Sequence, residues 1–246
     1  MYNFTFYNPT KIVFGKGQIS ELSTLISKDH KILMTYGGGS IKKNGVYDQV
    51  QKALEGYSII EFGGIEPNPQ YSTCMKAVKL VKEKDIDFIL SVGGGSVLDA
   101  TKFIAAAALW DGDEPWDFVR NGFELQDALP LGCILTLPAT GSESNANSVI
   151  SRAETGEKLA FIDEHVFPQF SILDPVTTYT LPERQIANGV VDAFVHVIEQ
   201  YLTFPVNAPL QDRFAESILL TLVEEGPKAL ENPADYDTRA NIMWAA

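Results

Sequence analysis

The chain has 246 residues, 45% of them hydrophobic and with aromatic side chains spread along its length, enough to bury a substantial core in one large domain or one and a half. Its 32 acidic residues against 19 basic ones give a formal charge of -13, which argues against nucleic acid as a partner, because each phosphate contact needs a nearby Lys or Arg. Disorder and a membrane span are excluded too, and residues 1–10 lack the basic start and apolar run of a signal peptide, so a cytoplasmic, thiol-reducing setting is expected.

In chain order, short β-branched runs predict strands at 31–36, 57–62, 87–92, 132–136 and 170–174, with helices at 42–54, 71–84 and 97–109 between them. This alternation predicts an α/β fold, a parallel Rossmann-like sheet covered by helices. After Asp174 and Pro175 the character changes: 182–201, 208–230 and the stretch after Tyr236 read as helices, and no strand-like run follows. The expected organisation is an α/β dinucleotide-binding domain at 1–180 and the first helices of an all-α metal and substrate domain at 181–246. The final segment has Asp237 as a good N-cap and no Gly, Asn or Pro to close it, which is expected of a cut chain or of a short frayed helix. Cys74 and Cys133 lie in apolar stretches far apart and are expected to be buried and inert.

Two glycine-rich turns carry the first chemical signal. Gly37, Gly38, Gly39 and Ser40 follow one predicted strand, and Gly93, Gly94, Gly95 and Ser96 follow another, each leading toward a helical segment. Backbone N–H groups at a helix start, without Cβ atoms in the way, cradle a pyrophosphate. The second turn departs from the six-residue dinucleotide fingerprint, because Leu98 stands where its third glycine belongs, and a tight turn without a ligand is the alternative. Thr136-Leu-Pro-Ala-Thr-Gly-Ser-Glu-Ser-Asn145 gathers hydroxyls and an amide after a buried strand; it reads equally as phosphate and ribose donors or as a helix start capped by Thr140 or Ser142.

Asp192 and His196, four residues apart, share one helix face, as ligands of a divalent metal or, the simpler reading for an isolated pair, as a hydrogen-bonded couple. Glu199, one turn on, is a further ligand or a surface charge. His30 and His165 show no partner at ligand spacing.

Taken in order, Glu66-Pro-Asn-Pro69, Gly93-Gly-Gly-Ser-Val-Leu-Asp-Ala-Thr-Lys102, Leu137-Pro-Ala-Thr-Gly-Ser-Glu143 and Gly189-Val-Val-Asp-Ala-Phe-Val-His196 resemble the iron-containing (group III) alcohol dehydrogenase family, in its NADPH-dependent aldehyde reductase and butanol dehydrogenase branch. The resemblance runs from Asn3 to Ala246. It implies an α/β nucleotide domain, a following helical domain and a metal in the cleft between them. The family's phosphate site carries over to Gly93, Gly94, Gly95 and Ser96, and its further nucleotide contacts to Asp99, Thr136, Thr140, Asn145 and Lys158, with Asn68 near the ribose.

Family members that use NAD commonly bear an acidic residue in the first glycine turn. Gly39 stands in that turn here, and Ser40 with Lys42 or Lys43 offers a site for a 2′-phosphate, so NADP is the expected cofactor, with NAD also possible. The family's metal, Fe or Zn, is held by one Asp and three His; Asp192 and His196 match the first two, and no histidine follows His196. Metal–ligand preferences favour zinc over iron at such a site. The resemblance thus implies a C-terminally shortened member of the family.

The implied reaction is reversible hydride transfer between the nicotinamide and a short-chain aldehyde, giving a primary alcohol, with a homodimer in the complete protein. The alternatives are a glycerol-dehydrogenase-like relative and a nucleotide-binding fragment without turnover. Unpaired helices should leave apolar surface exposed and make the isolated chain poorly soluble.

Overall fold

Buried runs of Ile, Leu and Val build a six-stranded sheet in the computed structural model, which describes residues 2–203 and 205–246. The strands in chain order are β1 (Lys11–Phe14), β2 (Lys31–Tyr36), β3 (Ser58–Phe62), β4 (Phe88–Gly94), β5 (Leu131–Leu137), β6 (Asn147–Arg152), β7 (Glu157–Ile162) and β8 (Phe170–Leu173). The sheet order is β1-β8-β5-β4-β2-β3 and every pairing in it is parallel. A parallel sheet needs helices on both faces, and its central strands are apolar along their whole length; β4 is buried from Phe88 to Gly93 for that reason.

The helices of this part are α1 (Leu22–Leu25), α2 (Val46–Ala53), α3 (Tyr71–Lys84), α4 (Gly95–Leu109) and α5 (Trp116–Asn121). Helix α4 is buried on nearly every side, and its run of alanines at 105–108 lets it sit between the sheet, α3 and the β6–β7 hairpin. The chain runs from β2 outward to β3, returns past β2 to β4, and then moves the other way to β5. The sheet therefore has its topological switch point between β2 and β4, where open α/β sheets form a crevice beyond the strand ends.

Beyond a 3-10 turn at Pro175–Thr178 the chain is helical: α6 (Glu183–Thr203), α7 (Pro209–Glu231) and α8 (Tyr236–Ala245). Arg239 of α8 is buried and ties this part to the turn, its Nε donating to Thr178 Oγ1 at 2.8 Å and its Nη2 to the Thr178 carbonyl. No helix among the described residues is long and apolar enough to cross a membrane.

The expected strands and helices are present, with five differences, the first being that the short helices α1 and α5 were not expected. The β6–β7 hairpin and β1 were not expected either: β1 has only four residues, and in the hairpin the buried Ser148 and the exposed Ala160 and Ile162 blur the polar–apolar alternation. The helix expected at 42–54 begins only at Val46, because Gly45 adopts a left-handed φ of 81° before it. The cap of α8 is Asp235, which accepts from the Thr238 N–H at 2.8 Å, and not Asp237. Finally, neither Thr140 nor Ser142 caps a helix; Gly141 precedes a short 3-10 turn at Ser142–Ser144.

Candidate functional site

The second glycine turn is built as expected: β4 ends at Gly94 and α4 starts at Gly95, so the N-terminus of a fifteen-residue helix opens at the sheet edge. Contact explains two of its glycines. A Cβ on Gly93 would come within 2.6 Å of Val97, and one on Gly95 would come within 3.0 Å of Thr140 Oγ1. The first glycine turn differs, since Gly39 leads into a 3-10 turn at Ser40–Lys42 and only later into α2. It nevertheless borders the second, because Gly37 lies against Val97 of α4, to which a Cβ would come within 3.6 Å.

A cleft of about 540 Å³ opens in front of α4, lined by Asn68, Gly95, Ser96, Asp99, Thr140, Asn145, Lys158, Asp192 and His196 among the expected residues. Pro69, Ser142, Asn147 and Val149 complete its wall. Gly37, Gly38, Gly39, Ser40, Gly93, Gly94 and Thr136 do not line it; the first four form the neighbouring turn, and Gly93, Gly94 and Thr136 belong to the strands behind.

Several expected contact residues are engaged with one another. Lys158 Nζ donates to Asn68 Oδ1 at 2.7 Å, across the cleft mouth, and Asn68 holds a left-handed φ of 55°. The Asp99 carboxylate accepts from Ser142 Oγ at 2.9 Å and from the Val149 N–H at 3.3 Å, binding α4 to the 140–149 segment. Burial raises its pKa above the ordinary carboxylate value, against the lowering pull of Ser142 and Lys102.

The main residue missed from sequence is Lys102, fully buried under the cleft floor. Its Nζ donates to the carbonyls of Ser142 (2.7 Å), Asn145 (2.8 Å) and Asn147 (2.8 Å) and reaches Asn145 Oδ1 (2.9 Å) and Ser142 Oγ (3.1 Å). Burial pushes its pKa down to about 8, so it carries a proton at neutral pH. Its place in an otherwise apolar helix, one turn from Asp99, was the available signal.

Asp192 and His196 lie on one face of α6, with Oδ1 and Nε2 3.8 Å apart and both side chains half exposed. That distance is too long for a hydrogen bond, and neither side chain makes another one among the described residues. One carboxylate oxygen and one imidazole nitrogen thus face the cleft uncommitted, a donor pair that suits a divalent iron or zinc ion. Glu199 is exposed and lies off the cleft, and no cluster of three or more metal-type side chains occurs among the described residues. The other two histidines bond to carboxylates, His30 to Asp87 at 3.0 Å and His165 to Asp163 at 2.7 Å. Both cysteines are buried thiols; burial pushes Cys74 up to about 12 and raises Cys133 likewise.

Helix α6 can come this close to the sheet edge because Gly189 lies against the loop after β5. A Cβ there would stand 2.8 Å from the Pro138 carbonyl oxygen.

Comparison with known proteins identifies the family. Residues 9–175 match the family described as iron-containing alcohol dehydrogenase, and residues 186–246 match the C-terminal part of the Fe-containing alcohol dehydrogenase family. The chain is 62% identical to the NADPH-dependent aldehyde reductase YqhD of Escherichia coli, over all of this chain and 64% of that protein. It is 50% identical to the probable NADH-dependent butanol dehydrogenase 2 of Bacillus subtilis, over all of this chain and 63% of that one. The crystal structure of E. coli YqhD superposes with a TM-score of 0.97, covering 99% of this chain and 63% of that one. The NADH-dependent butanol dehydrogenase A of Thermotoga maritima, 41% identical, superposes at 0.95 over all of this chain and 62% of its own. The chain therefore spans a little under two thirds of the length of these relatives.

Proposed function

The chain belongs to the iron-containing alcohol dehydrogenase family, and from that premise we propose that it serves reversible hydride transfer between a nicotinamide dinucleotide and a short-chain aldehyde, yielding a primary alcohol. One observation carries the proposal: the N-terminus of α4, at Gly95 and Ser96, and the uncommitted Asp192 and His196 of α6 line the same cleft. An anion site and a metal-type donor pair facing one cavity suit a reaction that needs both.

In this reading residues 1–180 form the dinucleotide domain and 181–246 contribute the first helices of the metal and substrate domain. The pyrophosphate lies on the backbone N–H groups at Gly94, Gly95 and Ser96, where the helix dipole and absent side chains favour it. Gly93 gives the turn its close packing on α4. Thr140, Asn145 and Lys158 donate to the nucleotide from the far wall, Asn68 sits at the ribose, and Asp99 and Thr136 support that wall from below. Gly37, Gly38, Gly39 and Ser40 receive the adenosine end. NADPH is preferred over NADH, because Gly39 presents no carboxylate to repel a 2′-phosphate.

Asp192 and His196 would hold a divalent iron or zinc ion, which when bound supplies Lewis-acid polarisation of a carbonyl oxygen. The residues of this chain bind and orient: the cleft walls fix the nicotinamide against the space in front of His196, and proximity of the reacting carbons follows from that placement. The NADPH-dependent and NADH-dependent names of the relatives support a nicotinamide cofactor of either kind. Exposed Tyr2, Phe4, Phe6 and Tyr7 offer a surface for a second copy of the chain, which supports a homodimer in the complete protein.

A second reading is a nucleotide-binding chain without turnover, favoured by the absence, among the described residues, of any group of three or more side chains placed to hold a metal. The test is a titration with NADPH followed by addition of butanal, with iron or zinc supplied. NADPH binding and consumption support hydride transfer, binding without consumption supports the second reading, and failure to bind overturns both. Oxidation of glycerol in preference to butanol would transfer the chain to a polyol-oxidising relative.

A further inference from the structure

Beside the first glycine turn, three donors converge on one carboxylate. Glu61 of β3 accepts from Lys42 Nζ at 2.7 Å and Tyr36 Oη at 2.9 Å on one oxygen, and from Tyr47 Oη at 2.5 Å on the other. The Lys42 ammonium is also held over both rings, 5.0 Å from the Tyr36 centroid and 4.8 Å from that of Tyr47. Burial opposes ionisation of Glu61, but hydrogen bonds from Lys42, Tyr47 and Tyr36 outweigh it and hold the carboxyl below its ordinary range. The cluster is thus an ion pair at neutral pH. Glu61 lies on β3, the edge strand of the sheet, and both it and Lys42 are partly open to solvent.

Its position gives it a use. Tyr36 ends β2, and the backbone N–H of Lys42 donates to the Gly39 carbonyl at 3.1 Å, so the pair belongs to the turn that borders the switch point. A dinucleotide whose pyrophosphate lies on α4 extends its adenosine ribose toward this turn, since Gly37 lies beside α4, where a Cβ would come within 3.6 Å of Val97. A 2′-phosphate arriving there meets a cation already neutralised by a carboxylate, whereas a 2′-hydroxyl meets an acceptor.

We propose that Glu61 sets the balance between dinucleotides with and without a 2′-phosphate, by holding Lys42 as a compensated charge. This rests on the dinucleotide reading above. Gly39 admits the phosphate, and Glu61 limits how strongly it is preferred. Removing the carboxylate's charge releases Lys42 for the phosphate, and removing the ammonium leaves Glu61 to repel it. Because the pair is partly exposed and screened by salt, the effect is moderate.

The test is fluorescence titration of the wild type, Glu61→Gln and Lys42→Met with NADPH and with NADH. Glutamine keeps the shape and one acceptor oxygen for one tyrosine, and its NH2 can donate to the other tyrosine's hydroxyl oxygen, which keeps the fold. The expected result is a preference for NADPH raised about fivefold by Glu61→Gln and lowered by a similar factor by Lys42→Met, both effects shrinking at high salt. Binding of both dinucleotides with an unmoved ratio, or an equal change for the two, overturns this inference and leaves the dinucleotide reading standing. Failure of the wild type to bind either dinucleotide overturns that reading and this inference with it.

Discussion

Lys102 Nζ holds Asn145 twice, at 2.8 Å from its carbonyl oxygen and 2.9 Å from Oδ1, and so fastens the far wall of the cleft to α4. A single buried ammonium orders the whole 142–147 turn, whose carbonyls would otherwise face inward without donors. Replacing it leaves those acceptors buried and unpaired, which is the costly case. Lys102→Met is expected to lower stability by about 3 kcal/mol or more in urea denaturation and to abolish nucleotide binding. Asn145→Ala removes one acceptor and is expected to cost only about 1 kcal/mol. Equal effects of the two would show that the ammonium is not the anchor.

Gly189 tests the approach of α6 to the sheet edge. In an open helix Gly→Ala stabilises by about 1 kcal/mol. Here the new Cβ would meet the Pro138 carbonyl at 2.8 Å, and a backbone atom cannot swing aside. Gly189→Ala is therefore expected to destabilise by about 1–3 kcal/mol, while Asn188→Ala, one residue away and exposed, stays within about 0.5 kcal/mol of wild type. Chemical denaturation of the three proteins decides it; a stabilised Gly189→Ala would mean that α6 sits farther from the loop.

The open space around Gly39 tests the cofactor preference. A side chain there meets nothing within 4 Å, and its cost is the left-handed φ of 89°, about 1 kcal/mol for aspartate. Gly39→Asp is expected to fold and to shift the ratio of dissociation constants toward NADH by about tenfold or more, through repulsion of the 2′-phosphate and acceptance from the 2′-hydroxyl. Titration with both dinucleotides measures it, and an unchanged ratio would place the ribose elsewhere.

The thiols give a prediction in pH. Burial pushes the Cys74 pKa up to about 12, and Cys133 is raised by the same cause, so the nucleophilic thiolate is absent from the folded chain at pH values near 8. Ellman's reagent at such a pH is expected to find no reactive thiol in the native protein and two per chain in concentrated guanidinium. A fast-reacting native thiol would show that one of the two reaches solvent.

Much of this protein was legible in its sequence because the information is local. β-branched runs between helical periods specified the parallel sheet, and Gly93 to Ser96 marked a strand-to-helix turn through the steric freedom of glycine. The separation of Asp192 and His196 by one helical turn put both on one face. The whole chain needed no partner to be read at that level.

What lay beyond it depends on contacts between residues far apart in the chain. The β6–β7 hairpin packs on α4 and was hidden by apolar Ala160 and Ile162 on its outer face and Ser148 on its inner one. Lys102 finds its acceptors some forty residues on, and Glu61 collects donors from a strand, a turn and a helix. Gly189 matters only because Pro138 passes beside it. Periodicity and turn chemistry report the conformation of a segment, whereas the pairing of a buried charge or the absence of a Cβ at a crossing is decided by which segments the sheet order brings together. So the sequence by itself determined the elements and the residue types of the candidate site, and the tertiary structure decided that the helix start at Gly95 and the donor pair on α6 share one cleft.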